Sequence, residues 1–146
     1  MLDALPLIPG LHVLEVGCGP GAVARAMAER VAPGHVLGID RSSRAVAQAQ
    51  AASGEAIAAG GLSFRQVAAE DFALAPGEKP FDLIVAVRVG AFDGRHPDAG
   101  VRAGPRMAAA LAPGGRCVGD GVVYALNGPR GEFRPVPQAQ SGSSEA

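Results

Sequence analysis

Apolar and polar positions along the chain follow two different periods in turn. Short apolar runs predict buried strands at residues 11–16, 36–39, 62–67, 81–87 and 116–119. Between them, apolar positions recur at helical spacing in residues 21–31, 42–59 and 105–111. Gly54 should weaken the second helix, and Pro105 suits the first turn of the third. Because strand and helix alternate, the sequence predicts a mostly parallel sheet with helices on both faces.

The chain becomes richer in glycine, proline and serine after the fifth predicted strand. Only residues 122–124 are predicted to form another strand, and residues 125–146 are expected to be loop and tail. One domain is therefore predicted over residues 1–124. The edge of the fifth strand would be exposed unless residues 122–126 or a second subunit cover it, so a homodimer through this edge is one expectation.

Composition narrows the class of protein. The chain has 146 residues, of which 48% are hydrophobic and 18% are charged, and its net charge is -1. These values suit one folded domain and argue against a nucleic-acid binder, which would need many basic residues. No apolar run reaches the roughly 20 residues that span a bilayer, and no secretory signal is found, so a cytoplasmic protein without membrane contact is expected. Cys18 and Cys117 form no metal or disulfide framework, so no metal site is expected.

The strongest chemical signal is a glycine-rich loop after the first strand, at Gly17, Gly19 and Gly21. Glycine permits a tight turn, and the free N–H groups of the next helix begin beside it. Asp40 ends the second strand, where a carboxylate can accept hydrogen bonds from a ribose diol. The loop and the acid together predict a nucleoside site. Gly17, Gly19 and Ala22 also satisfy the dinucleotide pattern, so an NAD-binding domain stays open at this point.

Five segments, taken in order, resemble the motifs of class I S-adenosylmethionine-dependent methyltransferases. They are Glu15-Val16-Gly17-Cys18-Gly19-Pro20-Gly21, Gly38-Ile39-Asp40, Ala69-Glu70-Asp71-Phe72, Phe81-Asp82-Leu83-Ile84-Val85 and Leu111-Ala112-Pro113-Gly114-Gly115-Arg116. The resemblance covers roughly residues 11–121. It implies an α/β, Rossmann-like three-layer sandwich that binds S-adenosylmethionine and yields S-adenosylhomocysteine. The order of the motifs argues against the NAD-binding domain.

The resemblance implies a role for each matching position. Glu15 and the glycine loop would surround the methionine end of the cofactor, and Asp40 would hold both ribose hydroxyls. The adenine would meet the backbone near Ala69, with Glu70 or Asp71. The expected cofactor site comprises Glu15, Gly17, Cys18, Gly19, Gly21, Asp40, Arg41, Ala69, Glu70, Asp71 and Arg88. Cys18 is expected to be a small residue in a tight turn rather than a reactive thiol.

The chain departs from the family's pattern at several positions. Ala68 stands where many relatives carry an aspartate for the adenine, so that contact would fall to Glu70 or Asp71. Arg41 stands where relatives often place an apolar residue, and its guanidinium can pack against the adenine ring instead. The family's C-terminal strand hairpin is expected to be truncated in this chain.

The methyl acceptor is expected at the loop after the fourth strand. His96 in this loop is the candidate general base, although in-line methyl transfer depends mainly on positioning. Residues 88–146 carry a net charge of +2, against -3 for residues 1–87, and Arg88, Arg95 and Arg102 could attract an acidic small molecule. The sequence therefore predicts a methyltransferase with a small-molecule acceptor. The alternative is a catalytically silent cofactor-binding or regulatory subunit.

Overall fold

The computed structural model describes residues 2–86, 97–119, 122–127 and 132–135. Its strands are β1 (His12–Val16), β2 (His35–Asp40), β3 (Leu62–Gln66), β4 (Phe81–Ala86), β5 (Leu111–Gly119), β6 (Val122–Asn127) and β7 (Glu132–Pro135). Its helices are α1 (Ala22–Val31), α2 (Ser43–Ala52), α3 (Gly54–Ala58) and α4 (Pro97–Ala110), and 3-10 turns occupy Leu2–Ala4 and Ala69–Asp71. None of the helices within these ranges is long and apolar enough to cross a membrane.

The strands form a single sheet in the order β3-β2-β1-β4-β5-β6-β7. Strands β1 to β5 run parallel, whereas β6 and β7 are antiparallel to their neighbours. Chain order reverses between β1 and β4, and open sheets of this kind bind ligands beyond the carboxyl ends of the strands at such a reversal. The predicted α/β fold with a mostly parallel sheet is confirmed, and a site is expected beyond the carboxyl end of β1.

Side chains of β1 belong alternately to two hydrophobic clusters, one on each face of the sheet. Val13 packs in a cluster with Met27 and Val31 of α1. Leu14 packs in a second cluster with Met107 of α4. These side chains have no exposed surface, and burying each one contributes roughly 1.5–3 kcal/mol. The two clusters hold one helical layer on each face, which gives the predicted three-layer architecture.

Helix α2 begins at a side-chain cap. The Ser42 hydroxyl accepts a hydrogen bond from the N–H of Ala45 at 3.1 Å, as a helix N-cap typically does. The helix ends before Ser53, and α3 starts at Gly54, so the predicted weakening of a 42–59 helix is confirmed. With its cap only two residues after Asp40, α2 begins close to the end of β2.

Helix α4 is longer than the sequence predicts. The prediction placed its first turn at Pro105, but the helix begins at Pro97 and contains Pro105 in its interior. Ala103 and Met107, on either side of Pro105, are fully buried. Packing of this helix against the sheet therefore outweighs the roughly 3 kcal/mol that an interior proline costs.

The turn predicted at residues 113–115 lies inside β5. Phe81 of β4 pairs with Leu111, and Leu83 pairs with Arg116, so residues 112–115 bulge between the two pairs. Gly114 adopts a φ of 77° in this bulge, a conformation that glycine takes without strain. The strand predicted at residues 116–119 is confirmed, and β5 begins earlier than predicted, at Leu111, which pairs with Phe81.

The prediction of loop from residue 125 onward is wrong for two segments. Strand β6 continues to Asn127, and β7 pairs with it from Asn127↔Glu132 to Tyr124↔Pro135. The hairpin that was expected to be truncated is short, with a last strand of four residues. Its main-chain pairing stabilises the segment, and local glycine and proline content does not reveal that pairing. Strand β6 also covers the edge of β5, so a second subunit is not required there.

Candidate functional site

The glycine-rich loop connects β1 to α1 at the carboxyl edge of the sheet. The N–H groups of Gly17 and Cys18 both donate to the carbonyl oxygen of Ile39, at 2.8 and 2.9 Å. These bonds fasten the loop to the end of β2. The loop therefore lies where the sheet topology places a ligand.

The ring of Phe64 leaves no room for a side chain at two glycines of the site. Gly21 has a φ of 89°, and a Cβ at this residue would lie 2.9 Å from Cζ of Phe64. A Cβ at Gly38 of β2 would lie 2.8 Å from Cδ1 of Phe64 and 2.9 Å from Cβ of Cys18. Because optimal carbon–carbon contacts are about 3.5–4.0 Å, both positions need glycine for the loop to approach the sheet.

Asp40 joins the glycine loop to the start of α2. Its Oδ2 accepts the N–H of Gly19 at 2.9 Å, and its Oδ1 accepts the N–H of Ser42 at 2.9 Å. An ionised carboxylate offers about four acceptor positions, so roughly two remain for hydroxyl groups of a ligand. The predicted ribose acid therefore lies beside the loop with acceptor capacity left.

Glu15, two residues before the loop, has a buried carboxyl group. The residue is 8% exposed, and its Oε2 has no hydrogen-bond partner among the described residues. Burial, and then the charge of Asp40, raises the pKa of Glu15 to about 8. At neutral pH this carboxyl is therefore largely protonated.

A small cavity opens between the end of β2 and the 3-10 turn at Ala69–Asp71. It is lined by Val16, Gly17, Ile39, Asp40, Arg41, Val67, Ala68, Ala69 and Glu70. Its volume is about 60 Å³, which is the space of about two water molecules. The sequence predicted five of these residues as site residues but not Val16, Ile39, Val67 and Ala68. Their position at or just beyond strand ends is the signal that could have found them.

Two charged side chains of the cavity lining form an ion pair. Nη2 of Arg41 lies 3.5 Å from Oε1 of Glu70, and the two side chains are 71% and 12% exposed. The other oxygen of Glu70, Oε2, is buried without a partner among the described residues. Because Arg41 is largely exposed to solvent, the pair contributes at most about 1 kcal/mol, so Arg41 can move away from Glu70 at little cost.

Other predicted site residues lie elsewhere. Asp71 is exposed and does not contribute to the described cavity lining, so Glu70 is the acid that faces the cavity. Arg88 and His96 lie outside the described residues. The structure thus brings together the loop, Asp40, Arg41, Ala69 and Glu70.

The thiol of Cys18 is enclosed within the loop. The residue is 5% exposed, and its Sγ donates to the carbonyl oxygen of Gly19 at 3.6 Å. Burial, followed by the charges of Glu15 and Asp40, raises the pKa of this thiol to about 12. Since the thiolate is the nucleophilic form, these surroundings agree with the expected role of a small residue in a tight turn.

A larger groove lies between α1 and α3. Its volume is about 680 Å³, and alanine and glycine make up much of its lining. Arg25 in its wall donates to the carbonyl oxygen of Pro20 at 2.9 Å and to the hydroxyl of the buried Ser53 at 3.1 Å. The predicted site residues are absent from its described lining. Through its bond to Pro20, Arg25 holds the glycine loop in place from this side. The larger volume of the groove alone does not identify it as the functional site.

Comparison with known proteins identifies relatives of the chain. Residues 13–115 match a family model described as a methyltransferase domain. A trans-aconitate 2-methyltransferase of Delftia acidovorans is 35% identical over 115 residues, which cover 79% of this chain and 39% of that protein. Another, of Streptomyces avermitilis, is 36% identical over 89 residues, covering 58% of this chain and 32% of that protein. The chain thus spans about a third to two fifths of the length of these curated relatives.

A solved structure shares the architecture. It is an S-adenosylmethionine-dependent methyltransferase from Mesorhizobium loti, with a TM-score of 0.63 and 28% sequence identity. The similarity covers 81% of this chain and 50% of the Mesorhizobium loti chain. The family match includes the glycine loop, Asp40 and the cavity beside Glu70. The chain therefore belongs to the class I S-adenosylmethionine-dependent methyltransferase family.

Proposed function

We propose that this protein binds S-adenosylmethionine between the glycine loop, Asp40 and the cavity beside Glu70, and that it transfers a methyl group to a small molecule. The observation that carries the proposal is the bond from the Gly19 N–H to Oδ2 of Asp40 at 2.9 Å. It holds a carboxylate with remaining acceptor capacity beside a close backbone approach, as binding of a ribose diol requires.

Each part of the site suits one part of the cofactor. Asp40 is the proposed acceptor for the ribose hydroxyls. Oε2 of Glu70, which has no partner among the described residues, suits the exocyclic amino group of adenine and would take the role of the aspartate that many relatives carry at the position of Ala68. Glu15 is proposed to face the methionine end. The remaining proposed contacts are Gly17, Cys18, Gly19, Gly21, Arg41, Ala69 and Arg88.

The cavity has to widen before a purine base can enter. Its volume of about 60 Å³ holds about two water molecules, and Arg41 spans part of it through the 3.5 Å pair with Glu70. Because Arg41 is 71% exposed, its guanidinium can leave Glu70 and stack on the base. This movement would free the Glu70 carboxylate for the amino group of adenine.

Positioning is the main contribution proposed for the protein's own residues. When bound, S-adenosylmethionine supplies a methyl group on a sulfonium that leaves as a neutral thioether. The residues that hold the ribose and the adenine keep the transferred carbon aligned with the acceptor, and such alignment can lower a barrier by several kcal/mol. His96 is the proposed general base for an acceptor that has to lose a proton.

The proposed acceptor is a small carboxylic acid. Two relatives are named trans-aconitate 2-methyltransferases, and residues 88–146 carry a net charge of +2. Methyl transfer to a panel of carboxylates, including trans-aconitate, can be followed by mass spectrometry. Equal transfer to neutral analogues would contradict the acidic preference. Cofactor binding without transfer to any acceptor would favour the silent-subunit alternative.

The cysteines and the sheet edge bear on location and assembly. Cys18 and Cys117 are free and buried, and reducing compartments keep thiols in this form, which supports a cytoplasmic location. The edge strands of the described sheet are β3 and β7, and a homodimer through the β7 edge is the proposed assembly. Sedimentation at micromolar concentration tests it, and a purely monomeric protein would contradict it.

Asp40→Ala should weaken binding of S-adenosylhomocysteine about 50-fold while the fold stays intact, because charge-assisted hydrogen bonds to the ribose are lost. Titration calorimetry measures the affinity, and circular dichroism checks the fold. Asp82→Ala is the matched control. The Asp82 carboxylate accepts the N–H of His12 at 2.9 Å at the amino-terminal end of β1, so its removal costs a similar bond and should leave the affinity unchanged. Equal affinities for Asp40→Ala and the wild-type protein would contradict the ribose role.

Glu70→Ala should weaken S-adenosylhomocysteine binding about tenfold but leave nearly unchanged the binding of the analogue with an unsubstituted purine base, which has no hydrogen-bond donor at the position of the amino group. The reason is that only the adenine ligand can donate to the Glu70 carboxylate. Competition titrations with the two ligands measure this preference. Asp71→Ala, one residue further along, is the control and should retain the wild-type preference. An equal loss for both ligands in Glu70→Ala would show that Glu70 does not recognise the amino group.

A further inference from the structure

Glu15 occupies the central strand of the parallel sheet. Its register neighbours are Gly38 on β2 and Val85 on β4, and neither can neutralise a carboxylate. The residue is 8% exposed, and its Oε2 has no partner within the described ranges. An ionised carboxylate in these surroundings would lack both solvent and a counter-ion, which is costly.

The polar groups that face Glu15 are acidic or neutral. Asp40 at the end of β2 contributes a negative charge, and its oxygens are bonded to the N–H groups of Gly19 and Ser42. Cys18 in the loop contributes a buried thiol. In the described part of the chain, no basic side chain contributes to the surroundings of Glu15. Two neighbouring carboxyl groups without a cation form a site that holds either a proton or a positively charged group.

We infer that Glu15 carries a proton in the ligand-free protein and releases it when a positively charged ligand group, an ammonium or a sulfonium, binds beside the glycine loop. The inference rests on the proposed function and adds that cofactor binding is coupled to proton release. The O–H bond of Glu15 breaks, the proton passes to the buffer, and the carboxylate keeps the electron pair. Since water screens charges weakly in a buried site, the attraction between this carboxylate and the cation is strong enough to favour the exchange.

Titration calorimetry in two buffers with different ionisation enthalpies measures the released protons. At about pH 6.5, binding of S-adenosylmethionine should release about one proton per ligand. The uncharged probe 5′-methylthioadenosine should bind without proton release. S-adenosylhomocysteine keeps the ammonium but lacks the sulfonium. Release with this ligand assigns the exchange to the ammonium, and release with S-adenosylmethionine alone assigns it to the sulfonium.

Variants and spectroscopy assign the proton to Glu15. Glu15→Gln should bind S-adenosylmethionine with proton release near zero, whereas Glu29→Gln, exposed on α1, should release as many protons as the wild-type protein. In the wild-type protein alone, the infrared band of a protonated carboxyl should disappear on saturation, and this measurement requires no variant to fold. Binding of S-adenosylmethionine with an unchanged band and no proton release would overturn the inference and leave the proposed function intact. Failure of all three ligands to bind would contradict the proposed function, and the inference with it.

Discussion

Replacing Glu15 with glutamine should remove most of the pH dependence of the unfolding free energy between about pH 5 and pH 9. The pKa of Glu15 is raised from 4.5 to about 8 in the folded protein, first by burial and then by Asp40. Over this interval the unfolded chain binds fewer protons than the folded chain, so wild-type stability falls as the pH rises from about 4.5 to 8. At about 1.4 kcal/mol per pH unit, the loss is on the order of 4 kcal/mol by pH 9.

Urea unfolding of both proteins at several pH values measures this difference. From about pH 5 to pH 8 the wild-type midpoint should fall with rising pH, whereas the Glu15→Gln midpoint should change little. Above about pH 9 both midpoints should fall, because burial raises the pKa of the Cys18 and Cys117 thiols to about 12. Glu29→Gln changes an exposed glutamate on α1 and should follow the wild-type curve. If Glu15→Gln also followed that curve, Glu15 would not be the buried protonated acid described above.

Gly38→Ala should destabilise the protein by about 3 kcal/mol. The new Cβ would lie 2.8 Å from Cδ1 of Phe64 and 2.9 Å from Cβ of Cys18. The ring belongs to β3 and Cys18 to the glycine loop, so relief of the contact displaces either a neighbouring strand's side chain or the loop. Binding of S-adenosylhomocysteine should weaken as well if the loop moves.

A second substitution tests whether the loss of stability comes from contact with the Phe64 ring or from any change at position 38 of β2. Phe64→Leu removes ring atoms next to position 38, and in the Gly38→Ala background it should restore at least about 1 kcal/mol relative to additivity. Gly54→Ala is the matched control, because a Cβ at Gly54 meets nothing within 4 Å. It should be neutral or slightly stabilising. A strictly additive double variant in urea unfolding would contradict the contact between position 38 and the Phe64 ring.

The parallel part of the fold could be predicted because its signals are local. Continuous apolar runs identify buried strands, and the acid at Asp40 together with the glycines marks the carboxyl end of β1 and β2. The start of α4 could not be predicted in the same way. Pro105 is a strong local signal for a first turn, but burial of Ala103 and Met107 extends the helix through it. Strand β7 depends on pairing with β6, and composition does not encode that contact.

The site could be predicted as a set of residues but not as a set of contacts. The motif resemblance named Asp40 and the loop, while the bonds from Asp40 to Gly19 and Ser42 depend on how β2 and the loop meet. Among the described residues Glu15 has no partner because its neighbours on β2 and β4 carry no group that could bond to it, and no single motif states this. The sequence left open whether Glu70 or Asp71 meets the adenine. The 3-10 turn decides this, because it places Glu70, and not Asp71, in the described lining of the cavity.

The buried thiol of Cys18 has a consequence for chemical selectivity. An activated methyl donor alkylates thiolates readily, and a reactive cysteine in the binding loop would compete with the intended acceptor. With its pKa raised to about 12, this sulfur stays protonated at physiological pH and is a poor nucleophile. The loop can thus include a cysteine without exposing the protein to methylation by the proposed cofactor.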